Sequence, residues 1–151
     1  MQRSVVMPMP AAALRTVVDT GPLVEVLNAN DEHYAWAREE FGKLSPPVFT
    51  CEAVLLEAQL LLQERGGDPL AVLVWMQQGV IVLAFDTANE IERLLALQRS
   101  YRNLPIDFAD ACLVRMTEQH ERSSVLTTDS HFRIYRRNGR KIIPLGVPPG
   151  I

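Results

Sequence analysis

The chain has 151 residues, of which 48% are hydrophobic and 22% are charged, which fits one soluble globular domain and is too short for two ordinary ones. Its net charge of −3 argues, taken alone, against a protein that binds nucleic acid through overall charge. The charge is uneven, however, because residues 130–151 carry +5 and the preceding 129 residues carry −8. An acidic body with a basic end segment suits a site that uses metal ions on one part and phosphates on another.

Residues 1–14 are interpreted as a flexible N-terminal extension of a domain that spans residues 15–151. Their composition is faintly similar to a signal peptide, but Pro8 and Pro10 interrupt the apolar stretch and a strand pattern follows at once. An upstream start codon would also explain them. No apolar run approaches the ~20 residues that span a bilayer, so we expect a cytoplasmic protein without a membrane segment.

The predicted elements alternate between helices and short apolar strands. In chain order they are a strand at 15–19, helices at 23–27 and 31–44, a strand at 48–50, helices at 51–65 and 68–78, a strand at 80–85, a helix at 89–101, a helix at 106–120 opened by Pro105, and strands at 124–127 and 141–145. This order predicts an α/β fold with three layers, α/β/α, around a central, mostly parallel β-sheet. Ligand sites in such sheets lie beyond the carboxyl ends of the strands.

Two aspartates lie at the ends of predicted strands: Asp19 ends the strand at 15–19, and Asp129 comes two residues after the strand at 124–127. Both should therefore project at the carboxyl edge of the sheet. The alternative is that each one only caps the helix that follows. The three histidines are scattered, and the two cysteines, Cys51 and Cys112, lie in apolar runs and are expected to be buried free thiols. A metal site would therefore have to use carboxylates.

Two further acids lie on helices among apolar neighbours. The residues three and four positions from Glu57 are all apolar, which predicts that Glu57 lies on the buried stripe of its helix. A structural ion pair with an arginine is the alternative. Asp110 has the same setting except that Asp107, a second acid, lies on the same face, and a cation would relieve their repulsion. Asp107 alone has a simpler explanation, since it complements the dipole of its helix.

Carboxylates in such settings favour Mg²⁺ or Mn²⁺, because these hard cations take oxygen ligands. The chemistry that uses such clusters most often is phosphoester hydrolysis. The metal ion orients a water molecule, lowers the pKa of that water and stabilises charge on the phosphate.

Four segments with these acids follow one another in the chain: TVVDTGPL at 16–23, CEAVLLEA at 51–58, PIDFADACLV at 105–114 and VLTTDSHF at 125–132. In order and spacing they resemble the PIN-domain family across roughly residues 15–145. The resemblance implies a PIN-like fold and a metal-dependent ribonuclease. By the same resemblance, the catalytic and metal-binding acids are Asp19, Glu57, Asp110 and Asp129. An additional metal ligand falls on Asp107, and accessory hydroxyl groups fall on Thr20, Thr127 and Thr128.

The resemblance also bears on partners, because the family includes the toxins of VapBC-type toxin–antitoxin pairs. It implies RNA as the substrate, a cognate antitoxin that blocks the site, and a homodimer. Two alternatives within the family are a PIN nuclease that is not a toxin and a PIN-like module that binds RNA or protein without cleaving. A third alternative is a receiver-like or phosphatase-like domain phosphorylated on aspartate. It is disfavoured because no second acid lies close to Asp19 and no lysine ends a late strand.

Four arginines follow Asp129 closely and are interpreted as RNA-binding residues: Arg133, Arg136, Arg137 and Arg140. If the segment is helical, its arginines form two pairs, 133 with 137 and 136 with 140, each on one face. A guanidinium pair of this kind suits phosphate oxygens. The alternative is a solvated surface.

Overall fold

A computed structural model describes residues 14–104 and 106–151. The predicted extension lies outside the described residues except for Leu14, and Pro105, the expected start of a helix, lies outside them as well. None of the helices in the described ranges is long and apolar enough to cross a membrane.

The described ranges contain seven short strands and six α-helices, most of them slightly shorter than predicted. The strands are β1 (Arg15–Val18), β2 (Val48–Thr50), β3 (Ile81–Leu83), β4 (Ser123–Leu126), β5 (Arg136–Arg137), β6 (Lys141–Ile142) and β7 (Leu145–Gly146). The helices are α1 (Thr20–Leu27), α2 (Tyr34–Lys43), α3 (Glu52–Glu64), α4 (Leu70–Gln77), α5 (Ile91–Ser100) and α6 (Phe108–Gln119). Two 3-10 helices span Thr87–Asn89 and Ser130–Arg133.

Five strands form one parallel sheet in the order β3-β2-β1-β4-β7. Val18 of β1 stands opposite Leu126 of β4, and the backbone N–H of Asp19 donates to the Leu126 carbonyl at 2.9 Å. The neighbouring strands β1 and β4 therefore end side by side. Helices flank the sheet, with α1 packed against α2 and α3, and α5 packed against α6. The predicted α/β/α architecture with a mostly parallel sheet is confirmed.

The strands β1 and β4 and the helix α6 contribute much of the hydrophobic core. Val17, Val18, Val125 and Leu126 are all buried, so both faces of these two strands are covered, as is usual in parallel sheets. In α6, every residue from position 109 to position 114 is buried, so most of its circumference is enclosed. The cysteines of α6 and of the position before α3 are buried free thiols, as predicted.

The prediction of one last strand at 141–145 is wrong. β6 pairs antiparallel with β5 in a separate two-stranded sheet, whereas β7 pairs parallel with β4 at the edge of the main sheet. Pro144 separates them and has no N–H to donate to a ladder, although its carbonyl accepts from Val125 N at 2.9 Å. The turn between β5 and β6 uses Asn138 and Gly139 at φ 53° and 72°, a left-handed region that these residue types adopt readily.

Candidate active site

Asp19 lies between the end of β1 and the start of α1 and is only 8% exposed. Its Oδ1 accepts a hydrogen bond from Thr20 N at 2.7 Å, so Asp19 caps α1, and this helix begins earlier than predicted. Its Oδ2 accepts from the Thr127 hydroxyl at 2.7 Å. Burial raises the pKa of Asp19 to about 6, opposed by these hydrogen bonds and assisted by the charges of Asp129 and Glu57. Asp19 is thus both a helix cap and a confined carboxyl group at the sheet edge.

Thr127 connects Asp19 with Asp129 across the ends of β1 and β4. The buried Thr127 hydroxyl donates to Asp19 and accepts from the backbone N–H of Asp129 at 2.9 Å. The Asp129 carboxylate accepts from His131 N at 2.9 Å and so caps the short 3-10 helix that follows. Because the Asp129 side chain is partly exposed, it lies on the open side of the site.

The other two accessory threonines have different neighbours. The Thr20 hydroxyl donates to Glu57 Oε2 at 3.1 Å and so ties α3 to the start of α1. Thr128 lies against the first turn of α1, where a Cβ on Gly21 would come within 2.1 Å of Thr128 Oγ1. A larger residue at position 21 would therefore force the Thr128 side chain to move.

The prediction that Glu57 lies on a buried stripe is wrong, because Glu57 is exposed. The buried residues of α3 are Val54, Ala58 and Leu62, each four positions from the next. Leu60, three positions after Glu57, is 59% exposed. The apolar neighbours were misleading because α3 carries leucines on its exposed side as well.

Asp110 lies in the first turn of α6 and is 7% exposed, as its apolar neighbours predicted. Its Oδ2 accepts a hydrogen bond from the Tyr135 hydroxyl at 3.1 Å. Burial, followed by the charges of Asp19 and Asp107, raises the pKa of Asp110 to about 8, although the Tyr135 hydrogen bond acts in the opposite direction. In the absence of a cation this carboxyl group therefore holds a proton at neutral pH.

Asp107 is exposed and is the N-cap residue of α6. Its Oδ1 accepts from Asp110 N at 2.7 Å, so Asp107 has a structural role at the start of the helix. Its charge still contributes to the raised pKa of Asp110. A role for Asp107 as an additional metal ligand stays a prediction.

The four acids belong to one network of hydroxyl bridges and like charges. No three His, Cys, Asp or Glu side chains of this site, within residues 14–104 and 106–151, place one ligand atom each within 4.8 Å of one another. A cation would therefore have to draw these carboxylates closer together or bind some of them through water. The carboxylate and hydroxyl oxygens and the raised pKa values of two buried carboxyl groups fit Mg²⁺ or Mn²⁺. The four acids of this network are Asp19, Glu57, Asp110 and Asp129.

The predicted arginine faces are absent because the segment is not one helix. Residues 130–133 form a single 3-10 turn, and Arg136 and Arg137 lie on β5, so neither predicted pair shares a helical face. Arg133 and Arg140 are exposed, whereas Arg136 is partly buried. The Arg136 Nη1 donates to the Arg133 carbonyl at 2.7 Å.

Arg137 has a structural environment that its sequence context did not indicate. It is 6% exposed, and its guanidinium donates to the carbonyl of Glu121 and, at 2.9 Å, to the carbonyl of Ser123. These bonds fasten β5 to the start of β4. The prediction that Arg137 binds RNA therefore needs correction, since its donors are buried and directed at backbone carbonyls.

Sequence reasoning missed Tyr135, whose hydroxyl holds Asp110. The Tyr135 ring is fully buried and packs edge-on against Tyr101 and Phe132, with centroid distances of 5.2 and 5.1 Å. The sequence did contain an indication that Tyr135 is buried. Phe132 and Tyr135 are two aromatic residues three positions apart in a segment that is otherwise rich in arginine.

The PIN domain family model matches residues 16–138, and the chain belongs to the PIN domain family. The fold is similar to that of Mycobacterium tuberculosis VapC20, a toxin that cleaves the sarcin-ricin loop, with a TM-score of 0.72 at 21% identity. The match covers 85% of this chain and 99% of the VapC20 chain. No curated protein is significantly similar in sequence. Membership of this family contradicts the receiver-like and phosphatase-like alternative.

Proposed function

We propose that this chain is a metal-dependent endoribonuclease and the toxin of a toxin–antitoxin pair. The observation that carries the proposal is a pair of buried carboxyl groups in a PIN domain, Asp19 at the carboxyl edge of the parallel sheet and Asp110 in the first turn of α6, whose charges act on each other. Electrostatic coupling of Asp19 to Asp110, Glu57 and Asp129 supports a shared cation. The likeness in fold to the VapC20 toxin supports RNA as the substrate class.

Asp19, Asp110 and Asp129 would hold Mg²⁺ or Mn²⁺, with Glu57 on the exposed side. When bound, the ion lowers the pKa of water and neutralises charge that develops on the phosphate. Glu57, anchored by the Thr20 hydroxyl, would orient the attacking water. The water oxygen loses a proton to the solvent and bonds to phosphorus as the bond to the 3′ oxygen breaks, and the 3′ oxygen takes a proton from the solvent. The products carry a 5′-phosphate and a 3′-hydroxyl.

The partners are inferred from the same likeness. We propose a cytoplasmic homodimer whose site is blocked by a cognate antitoxin. Arg133 and Arg140 remain candidates for RNA phosphate contacts, since both are exposed. A neighbouring open reading frame whose product binds this chain and restores growth would support the toxin role. If co-expression of that product changes nothing, a PIN nuclease without an antitoxin becomes the better description.

The test is cleavage of single-stranded RNA with Mg²⁺ or Mn²⁺, beside the same reaction with excess EDTA. We expect cleavage with metal and none with EDTA. Asp110→Asn should abolish cleavage, whereas Asp107→Asn, the matched control in the same helix turn, should lose about tenfold, as outer ligands do. Specific cleavage that persists in EDTA, or equal mild losses in both variants, would contradict the proposal. RNA binding without cleavage in either metal would identify a binding module.

A further inference from the structure

A second group of metal-ligating side chains lies beside the nuclease site, in a cleft of about 550 Å³. Glu25 comes from α1, and Asp31 and His33 come from the loop that joins α1 to α2. One ligand atom of each lies within 4.8 Å of the other two, and within the described ranges no other trio of His, Cys, Asp or Glu does so. Gly21 and Thr128 also line this cleft, so it shares a wall with the nuclease site.

The most informative atom in the cleft is Glu25 Oε2. The Glu25 side chain is 6% exposed, and Oε2 has no hydrogen-bond partner. Buried carboxylate oxygens are nearly always bonded, because leaving one without a partner is unfavourable. An unpaired oxygen in a polar cleft is therefore free to accept a ligand that supplies positive charge.

Contacts with Glu25 and Asp31 hold the imidazole of His33 beside these two carboxylates. His33 occupies the N-cap position of α2, but its side chain makes no capping bond. Its Nδ1 instead lies 3.2 Å from Glu25 Oε1, and its backbone N–H donates to Asp31 Oδ1 at 3.1 Å. The loop is thus folded so that the imidazole faces both carboxylates.

The charge of the cleft favours a cation. Its lining includes three carboxylates, from Glu25, Asp31 and Glu32. Among the described residues that line the cleft, Arg65 is the only lysine or arginine. Its Nη1 lies 3.3 Å from Asp31 Oδ2. Since the Arg65 side chain is exposed, it can move into solvent when an ion binds.

We propose that Glu25, Asp31 and His33 bind a divalent first-row transition-metal ion, with Zn²⁺ as the best fit, at a site distinct from the nuclease centre. One imidazole and two carboxylates match known zinc ligands, and water can complete the coordination. Zinc–ligand bonds of about 2.0–2.2 Å place tetrahedral ligands roughly 3.4 Å apart. The ligand atoms, which now lie within 4.8 Å of one another, must therefore approach by up to about 1.4 Å. A bound ion would fasten the loop to α1.

The test uses an Asp19→Asn/Asp110→Asn variant, so that the nuclease acids do not bind the probe. Titration with Zn²⁺ in a calorimeter should give one ion per chain. Adding His33→Gln should weaken binding at least tenfold, because it removes the imidazole. The matched control is His120→Gln, whose ring contacts Arg15 instead, and this change should leave Zn²⁺ binding as it was.

The proposal is overturned if the double variant binds no Zn²⁺, or if the two histidine substitutions have equal effects. Glu25 and His33 would then be a structural pair only. Circular dichroism without metal shows whether His33→Gln folds. If His33→Gln does not fold, the Asp19→Asn/Asp110→Asn variant tests the site without it. Co²⁺ added in place of Zn²⁺ must then shift the NMR signals of His33 and leave those of His120 unchanged. Both readouts are independent of RNA cleavage.

Discussion

Replacing Asp110 with asparagine should stabilise the metal-free protein, although it removes a residue proposed to be catalytic. Burial and the charges of Asp19 and Asp107 raise the pKa of Asp110 to about 8, compared with an ordinary value of 3.8. The folded protein therefore keeps a proton that the unfolded chain releases. Because the folded state binds more protons, the stability of the unsubstituted protein must fall as the pH rises from about 4 to about 8.

The magnitude follows from that interval. A pH of 7 is about 3 units above the ordinary aspartate pKa, and each unit is worth about 1.4 kcal/mol. Compared with pH below 4, the titration of Asp110 therefore lowers the free energy of unfolding at pH 7 by roughly 4 kcal/mol. Asparagine removes this effect but buries an amide N–H, which costs about 1–3 kcal/mol if it lacks an acceptor. The Tyr135 hydroxyl can still donate to the amide oxygen. We expect a net gain of about 1–3 kcal/mol at pH 7 that shrinks as the pH falls and becomes a net loss of about 1–3 kcal/mol near pH 4, where only the cost of the buried amide remains.

The assay is urea unfolding in EDTA at pH 5 and pH 8, followed by circular dichroism. Asp107→Asn is the control, because asparagine caps a helix as well as aspartate does. It also removes one of the charges that raise the pKa of Asp110, so it should stabilise the protein at pH 8, but by less than Asp110→Asn does. Mg²⁺ should stabilise the unsubstituted protein but not Asp110→Asn. An Asp110→Asn protein that is less stable at pH 8, or equally shifted at both pH values, would refute this reasoning.

Three further substitutions test individual contacts. Tyr135→Phe removes the hydroxyl that donates to Asp110, so the free energy of unfolding should fall by about 1 kcal/mol. Half-maximal cleavage should also need more Mg²⁺, and an unchanged Mg²⁺ requirement would exclude a positioning role for Tyr135. Arg137→Gln should destabilise the fold by at least about 2 kcal/mol in urea unfolding, because buried carbonyls lose their donor, and a neutral effect would contradict its structural role. Arg140→Gln should leave stability within about 0.5 kcal/mol. It should also lower the salt slope of RNA binding by up to about 0.7, and an unchanged slope would remove Arg140 from the RNA contacts.

The central part of the site could be predicted from the sequence because it depends on local patterns. A strand of buried branched residues that ends in an acid places that acid at the sheet edge whatever the rest of the fold does. Asp19 directly follows β1, and Asp129 lies three residues after the end of β4; the two strands are adjacent and parallel. Asp110 could be predicted to be buried because α6 is enclosed on nearly all sides, so apolar neighbours there do mean burial.

The failures share a physical cause, which is that burial depends on distant partners. Glu57 has the same apolar neighbourhood as Asp110, but α3 leaves one apolar side exposed, and periodicity cannot distinguish the two cases. Arg137 is buried because a short hairpin folds it back onto the start of β4. Glu25 went unnoticed although it is a single acid within an apolar helix, since its partner His33 lies in a loop eight residues away.

The most direct measurement of the proposed metal site is a crystal structure of the protein grown with Mn²⁺, with an anomalous difference map for manganese. We expect a peak roughly 2 Å from carboxylate oxygens of both Asp19 and Asp110, on the side that faces Asp129. Asp110→Asn crystals should lose or greatly weaken this peak. Manganese found only elsewhere, or nowhere, in protein that cleaves RNA with Mn²⁺ would contradict the site described for this chain.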